Sequence, residues 1–194
     1  MKRPDGLPVL SFSSPEEWWE WLELNHAGSD GLWIAIAKQG SGIESVRYPD
    51  VLDHAVCFGW IDGRRERLDE ERFLQRFTPR RARSRWSRIN LEKAEGLIES
   101  GLMRPAGLEE VEKARADGRW ARAYQPQRGA AVPDDLQREL DASPRAAAFF
   151  AKLSAQNRYS ILYRLGEARR AETRARRLAD FVAMLETGET LHPQ

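Results

Sequence analysis

Cysteine is almost absent: Cys57 is the only thiol in 194 residues. A lone cysteine excludes an internal disulfide. Histidine is scarce too, and His26, His54 and His192 lie too far apart for a zinc-like spacing. No metal and no cofactor is expected. Long apolar runs are missing, and no window approaches the ~20 apolar residues of a membrane span. The first residues, Met1-Lys2-Arg3-Pro4-Asp5-Gly6, are basic without an apolar run behind them. No secretory signal is read there, so a cytoplasmic location is expected. Charge of one sign is also lacking, with 31 basic residues against 30 acidic and a net charge of +1. That balance argues against a dedicated nucleic-acid protein. Lysine supplies only five of the 31 basic residues. A GC-rich genome explains part of that bias, which weakens any argument from arginine number alone.

What is present suits a soluble globular protein: 41% hydrophobic and 31% charged residues in a chain long enough for a proper core. Charge is segregated locally. From Ser11 to Asp30 every charged residue is acidic, whereas Arg158 to Arg177 holds seven arginines against Glu167 and Glu172.

Ser14-Pro15-Glu16-Glu17 carries the signals of a helix start, with Trp18, Trp21 and Leu22 as its apolar face. Leu32–Ala37 is a short apolar run bounded by glycines and reads as a buried strand. A helix from Pro49-Asp50 to about Phe58 follows, then strands over Trp60–Leu68 and Arg72–Thr78 with a turn at Asp69-Glu70-Glu71. Phe73, Gln75 and Phe77 share one face of the second strand; Arg72, Leu74, Arg76 and Thr78 share the other. Ser84 or Ser87 caps a helix ending at Gly101, and Pro105 starts another that Gly118 ends. Tyr124–Pro133, with Pro126 and Gly129, reads as a linker. Beyond it lie four helix starts and no strand. Their apolar faces are Leu136/Leu140, Phe149/Leu153, Ile161/Leu162/Leu165 and Leu178/Val182/Leu185. The pattern predicts an α+β fold, a small antiparallel sheet with flanking helices followed by an all-helical bundle. The expected domains are 1–125 and 133–194, joined by 126–132.

The chemistry-bearing residues concentrate at Cys57-Phe58-Gly59-Trp60-Ile61-Asp62-Gly63 and in the run Arg76, Arg80, Arg81, Arg83, Arg85, Arg88 with Trp86. Exposed guanidinium groups beside aromatic faces suit something anionic or planar. Free backbone N–H groups at a helix start near Ser87 would add to an anion site. A solvated run with surface ion pairs needs no function; a nucleic-acid surface would add Trp86 stacking to phosphate contacts. Gly40-Ser41-Gly42 resembles a phosphate loop only superficially, and a flexible turn is the simpler reading. His54 and Cys57 are i, i+3 on one helix, which permits a Cys–His pair, but cysteine is among the most buried residue types. Asp62 is expected to pair with Arg72 or Arg76 on the neighbouring strand, or to orient a ligand in a pocket walled by Trp60.

Several stretches together resemble the YdeI/OmpD-associated family, also called bacteriocin-protection proteins. They include Ser41-Gly42, Val46-Arg47-Tyr48, Cys57–Gly63, Arg76–Arg81, Ser84-Arg85-Trp86-Ser87, Asn90, Gly101–Gly107 and Gly118-Arg119-Trp120. A second block runs through Asn157-Arg158-Tyr159, Arg164, Glu172-Thr173-Arg174, Arg177 and Phe181–Leu185. The likeness spans roughly residues 8–192. Relatives tend to have Lys-Lys-Gly-Ser-Gly where this chain has Lys38-Gln39-Gly40-Ser41-Gly42. The resemblance implies a role in bacteriocin or antimicrobial-peptide tolerance and no defined reaction.

The expectation is thus a non-enzymatic binding protein whose candidate ligand site is built on Trp60, Asp62, Arg76, Arg80 and Trp86. Lys38, Ser41, Arg72, Arg81 and Asn90 complete the set. Its partner would be an anionic or planar small ligand or an acidic protein. The rivals are a nucleic-acid-binding protein using two arginine clusters and an enzyme using Asp62 or Cys57.

Overall fold

The computed structural model describes residues 3–125 and 130–193. Positions 126–129, within the expected linker 126–132, lie outside the described residues. The chain divides into two compact units, Met1–Ala123 and Tyr124–Gln194.

In the first unit, Ser14 caps α1 (Pro15–Asn25) by accepting a hydrogen bond from the Glu17 N–H, and Pro15 takes the first helical position. The other elements are β1 (Val9–Leu10), β2 (Leu32–Ala37), α2 (Tyr48–Cys57), β3 (Trp60–Arg67), β4 (Arg72–Pro79), α3 (Arg88–Glu99) and α4 (Pro105–Ala116). The sheet runs β1-β2-β4-β3. β2 and β3 pair antiparallel to β4, whereas the two-residue β1 pairs parallel to β2. β1 adds a strand to the three expected, and its parallel pairing departs from a purely antiparallel sheet. A two-residue strand has no period to detect and owes its existence to its neighbour.

Directly opposite residues of an antiparallel pair point to one face. Leu32, Ile34, Ile36, Phe73 and Phe77 face the helices and pack with Trp18, Leu22, Val51, Ala55 and Trp60. Each such large side chain contributes about 1.5–3 kcal/mol by leaving water. Trp33, Ala35 and Leu74 face the other way, where Leu7 and Val9 cover them. A bulge between Asp62 and Arg65 sets Gly63 and Arg64 opposite Arg76.

The second unit is all helical among the described residues: α5 (Asp134–Ala142), α6 (Pro144–Lys152), α7 (Ala155–Gly166) and α8 (Ala171–Thr187). Ser143 and Ser154 cap α6 and α7 through their hydroxyls. The core uses Leu136, Leu140, Leu153, Ile161, Leu162, Leu165 and Leu185 as expected, but Phe150 and Phe181 carry α6 and α8. Phe149, Leu178 and Val182 are half-buried beside them. With α6 starting at Pro144, Ala146, Phe150 and Leu153 fall at i, i+4, i+7, which turns Phe149 off the core line.

Candidate functional site

The arginine run is not a row of exposed cations beside exposed rings. Arg80 follows Pro79, its N–H is fixed on the Gly59 carbonyl at 2.9 Å, and its side chain is buried. Its guanidinium stacks 3.5 Å over the Trp86 ring and donates to the Arg85 carbonyl at 3.1 Å. Trp86 is itself buried, against Trp120 at 4.9 Å. Trp60 is 1% exposed, set edge-on to Trp18 and Trp21, with its indole N–H on the His26 carbonyl. Neither indole is a platform for a ligand, because rings of this size are held by the apolar area they bury. Arg81 is exposed, with its backbone N–H on the Ser84 hydroxyl. The start of α3 is closed by its own Ser87 hydroxyl, which accepts the N–H of buried Asn90.

Asp62 does not pair with Arg72 or Arg76. It sits opposite Phe77 and therefore on the helix side, where it accepts the Tyr48 hydroxyl at 2.8 Å. Burial, then the Asp62 charge, pushes the Tyr48 phenol up. Arg76 lies on the opposite face of the sheet by strand alternation. Arg72 pairs with Asp69 at 2.9 Å. Lys38 donates to the Glu70 carbonyl at 2.7 Å and so ties down the β3–β4 turn. The Ser41 hydroxyl accepts the Ile43 N–H within its own loop. The ten candidate residues are therefore scattered over both faces and two turns.

Cys57 is wholly buried, and burial pushes its thiol up to about 11. That is the reverse of a reactive thiolate. Among the described residues no group of three or more His, Cys, Asp or Glu is placed to hold a metal. No described helix is long and apolar enough to cross a membrane.

What the fold does gather is a cleft of about 500 Å³ on the face of the sheet away from the helices, lined by Arg3, Pro4, Asp5, Trp33, Arg64, Glu66 and Arg76. Arg76 stands across from Trp33 in the β2–β4 register. Its Nε donates to Asp5 at 3.1 Å, and the Trp33 indole N–H reaches the same carboxylate. Desolvation raises the Asp5 carboxyl, but hydrogen bonds from Leu7 and Trp33 and the Arg76 guanidinium outweigh it and hold the group low. Arg3 and Arg64 both pair with Glu66. Arg3 also lies 5.4 Å over the Trp33 ring, and its buried Nε makes no hydrogen bond among the described residues. Of these residues, only Arg76 belonged to the candidate set. Arg3 and Asp5 come from a segment without periodicity, and Arg64 reaches the cleft through the bulge, so no local signal marks them.

In the second unit, Arg174 clamps Asp135 through two hydrogen bonds of 2.6 and 2.9 Å and also donates to the Leu165 carbonyl. Arg177 donates to the Arg164 carbonyl, and Arg158 lies 4.8 Å over Phe150. Arg164, Arg169, Arg170 and Arg176 are exposed.

Comparison with known proteins divides the chain similarly. Residues 10–110 match the model of a domain of unknown function, DUF8412. Residues 130–188 match the model described as bacteriocin-protection, YdeI or OmpD-associated. The resemblance expected over roughly 8–192 is thus found by that model over the C-terminal part. No curated protein and no solved structure matches the chain. The chain therefore belongs to the DUF8412 family over its first unit and carries a YdeI/OmpD-associated region in its second.

Proposed function

We propose that the chain is a non-enzymatic binding protein that holds a small anionic, partly planar ligand in the arginine cleft. The observation that carries this reading is the convergence, among the described residues, of Arg3, Arg64 and Arg76 around two carboxylates, Asp5 and Glu66, in a cleft of about 500 Å³. One positive charge is left over. Guanidinium groups supply paired donors for a carboxylate or phosphate and flat faces for a planar body. The volume falls in the range of small-ligand sites. The description attached to residues 130–188 supports placing such binding in bacteriocin or antimicrobial-peptide tolerance.

The test is calorimetry on the full chain with inorganic phosphate, benzoate and a nucleoside monophosphate, repeated with Arg64→Gln and Arg76→Gln. Arg64 is largely exposed, so its loss leaves folding intact. Binding that weakens about tenfold in each variant supports the reading. No binding by any of these anions, or binding unchanged in both variants, overturns it.

A further inference from the structure

A second depression, of about 400 Å³, has the opposite chemistry. Glu16, Trp19 and Glu20 of α1, His54 of α2 and Leu102 line it. The first three fall at i, i+3 and i+4 and so share one helix face. Trp19 packs edge-on against His54 at 4.9 Å and Phe58 at 5.0 Å. Leu102, 53% exposed, adds an apolar wall.

The charges favour a cation. Glu16 and Glu20 form no ion pair among the described residues, and every charged residue between Ser11 and Asp30 is acidic. The Glu16 carboxyl is held low, first by the Ser14 hydroxyl, and so stays ionised at neutral pH. Burial is the largest influence on His54 and pulls it down, which disfavours the charged ring. The chain already uses this indole as a cation platform: Arg104 lies 4.9 Å from the Trp19 ring centre. Arg104 is neutralised by its ion pair with Glu23, so it does not offset Glu16 and Glu20.

We propose that this groove binds a small amphipathic organic cation, an ammonium or guanidinium on a short apolar or aromatic body. The charged head sits between Glu16 and Glu20, and the body lies against Trp19 and Leu102. Carboxylate pairing of the head and burial of the body against the indole and Leu102 act together there. The groove is distinct from the arginine cleft, with which it shares no residue.

The probe is phenethylamine, titrated into the full chain by calorimetry beside phenylacetate and 2-phenylethanol. Phenethylamine is expected to bind and phenylacetate to fail. The double variant Glu16→Gln, Glu20→Gln should weaken phenethylamine binding about tenfold. Both residues are exposed, so the double variant keeps its fold, which an unchanged thermal melt verifies. Trp19→Leu should weaken binding as well, while Arg64→Gln should leave it unchanged. Absence of phenethylamine binding at millimolar concentration overturns the proposal. So does equal binding of phenylacetate, or an affinity indifferent to the double variant.

Discussion

The guanidinium of Arg80 lies 3.5 Å over the ring of Trp86, and both side chains are buried in the first unit. The stack is internal architecture. Trp86→Ala should therefore cost about 3–5 kcal/mol, the scale of emptying a core indole site. Arg80→Lys keeps the charge but loses the flat stacking partner, and should cost about 1–2 kcal/mol. Urea unfolding measures both. A change below about 0.5 kcal/mol for Trp86→Ala would return the ring to the surface.

Strand parity turns Asp62 to the helix side, where the Tyr48 hydroxyl donates to it. Tyr48→Phe leaves the half-buried Asp62 without its hydroxyl donor and should cost about 1–2 kcal/mol. The Tyr48 phenol is raised by burial and by Asp62. Its contribution to stability is present below the ordinary phenol value of 10.0 and is lost as pH rises towards its folded value. In absorbance titration of the native protein up to about pH 12, Tyr48→Phe should leave the tyrosinate amplitude unchanged. A smaller amplitude in the variant would mean that Tyr48 ionises freely.

Cys57 should react with Ellman's reagent at least about 100-fold more slowly in the native than in the urea-unfolded chain at pH 8, through burial and lack of thiolate. With the folded thiol at about 11 and the ordinary value at 9.0, the unfolded chain loses its proton first. Stability linked to Cys57 is intact below pH 9.0 and falls by about 3 kcal/mol as pH rises through about 11. Cys57→Ala should flatten that alkaline loss. A native thiol that reacts at the unfolded rate would contradict this burial.

Two helical glycines should respond with opposite signs. Gly96 in α3 has nothing within 4 Å of an added Cβ, so Gly96→Ala should stabilise by about 0.5–1 kcal/mol. In α4, a Cβ at Gly107 would run into the Cys57 carbonyl and the Met103 sulfur. Gly107→Ala should destabilise by about 1–3 kcal/mol despite the better helix former. Thermal melts of the two variants suffice, and a stabilising shift for Gly107→Ala would refute the close approach of α2 and α4.

Arg174 and Asp135 tie α8 to α5 in the second unit. The Arg174 hydrogen bonds hold the Asp135 carboxyl below its ordinary value of 3.8. A depressed folded value gives stability present above pH 3.8 and lost as pH falls through the folded value. Asp135→Asn should cost about 1–3 kcal/mol at pH 7 and show a shallower acid transition than the parent chain. Acid denaturation followed by circular dichroism reads both, and identical acid limbs would dismiss the clamp as a stabiliser.

Much of the fold was legible because its signals are local. Serine caps at 14, 87, 143 and 154 and prolines at first helical turns mark where helices begin, since an N-cap needs only its own next residues. Apolar alternation in β4 gave its two faces correctly. β1 was missed, because two residues carry no period and are strand only beside Trp33 and Ile34.

The sequence by itself determined the α+β class, the helical second half and the abundance of guanidinium groups. Tertiary structure alone decided which arginines meet. Strand register puts Arg76 beside Trp33 and turns Asp62 to the helix side; the bulge opposite Arg76 brings Arg64 to the cleft; the N-terminal turn delivers Arg3 and Asp5 from more than 50 residues away. The same packing buries Arg80 with Trp86 and so removes the most conspicuous part of the run from the surface. Composition fixes how many charges a chain carries, whereas side-chain direction, and hence which charges share a cleft, follows from pairings between residues distant in sequence.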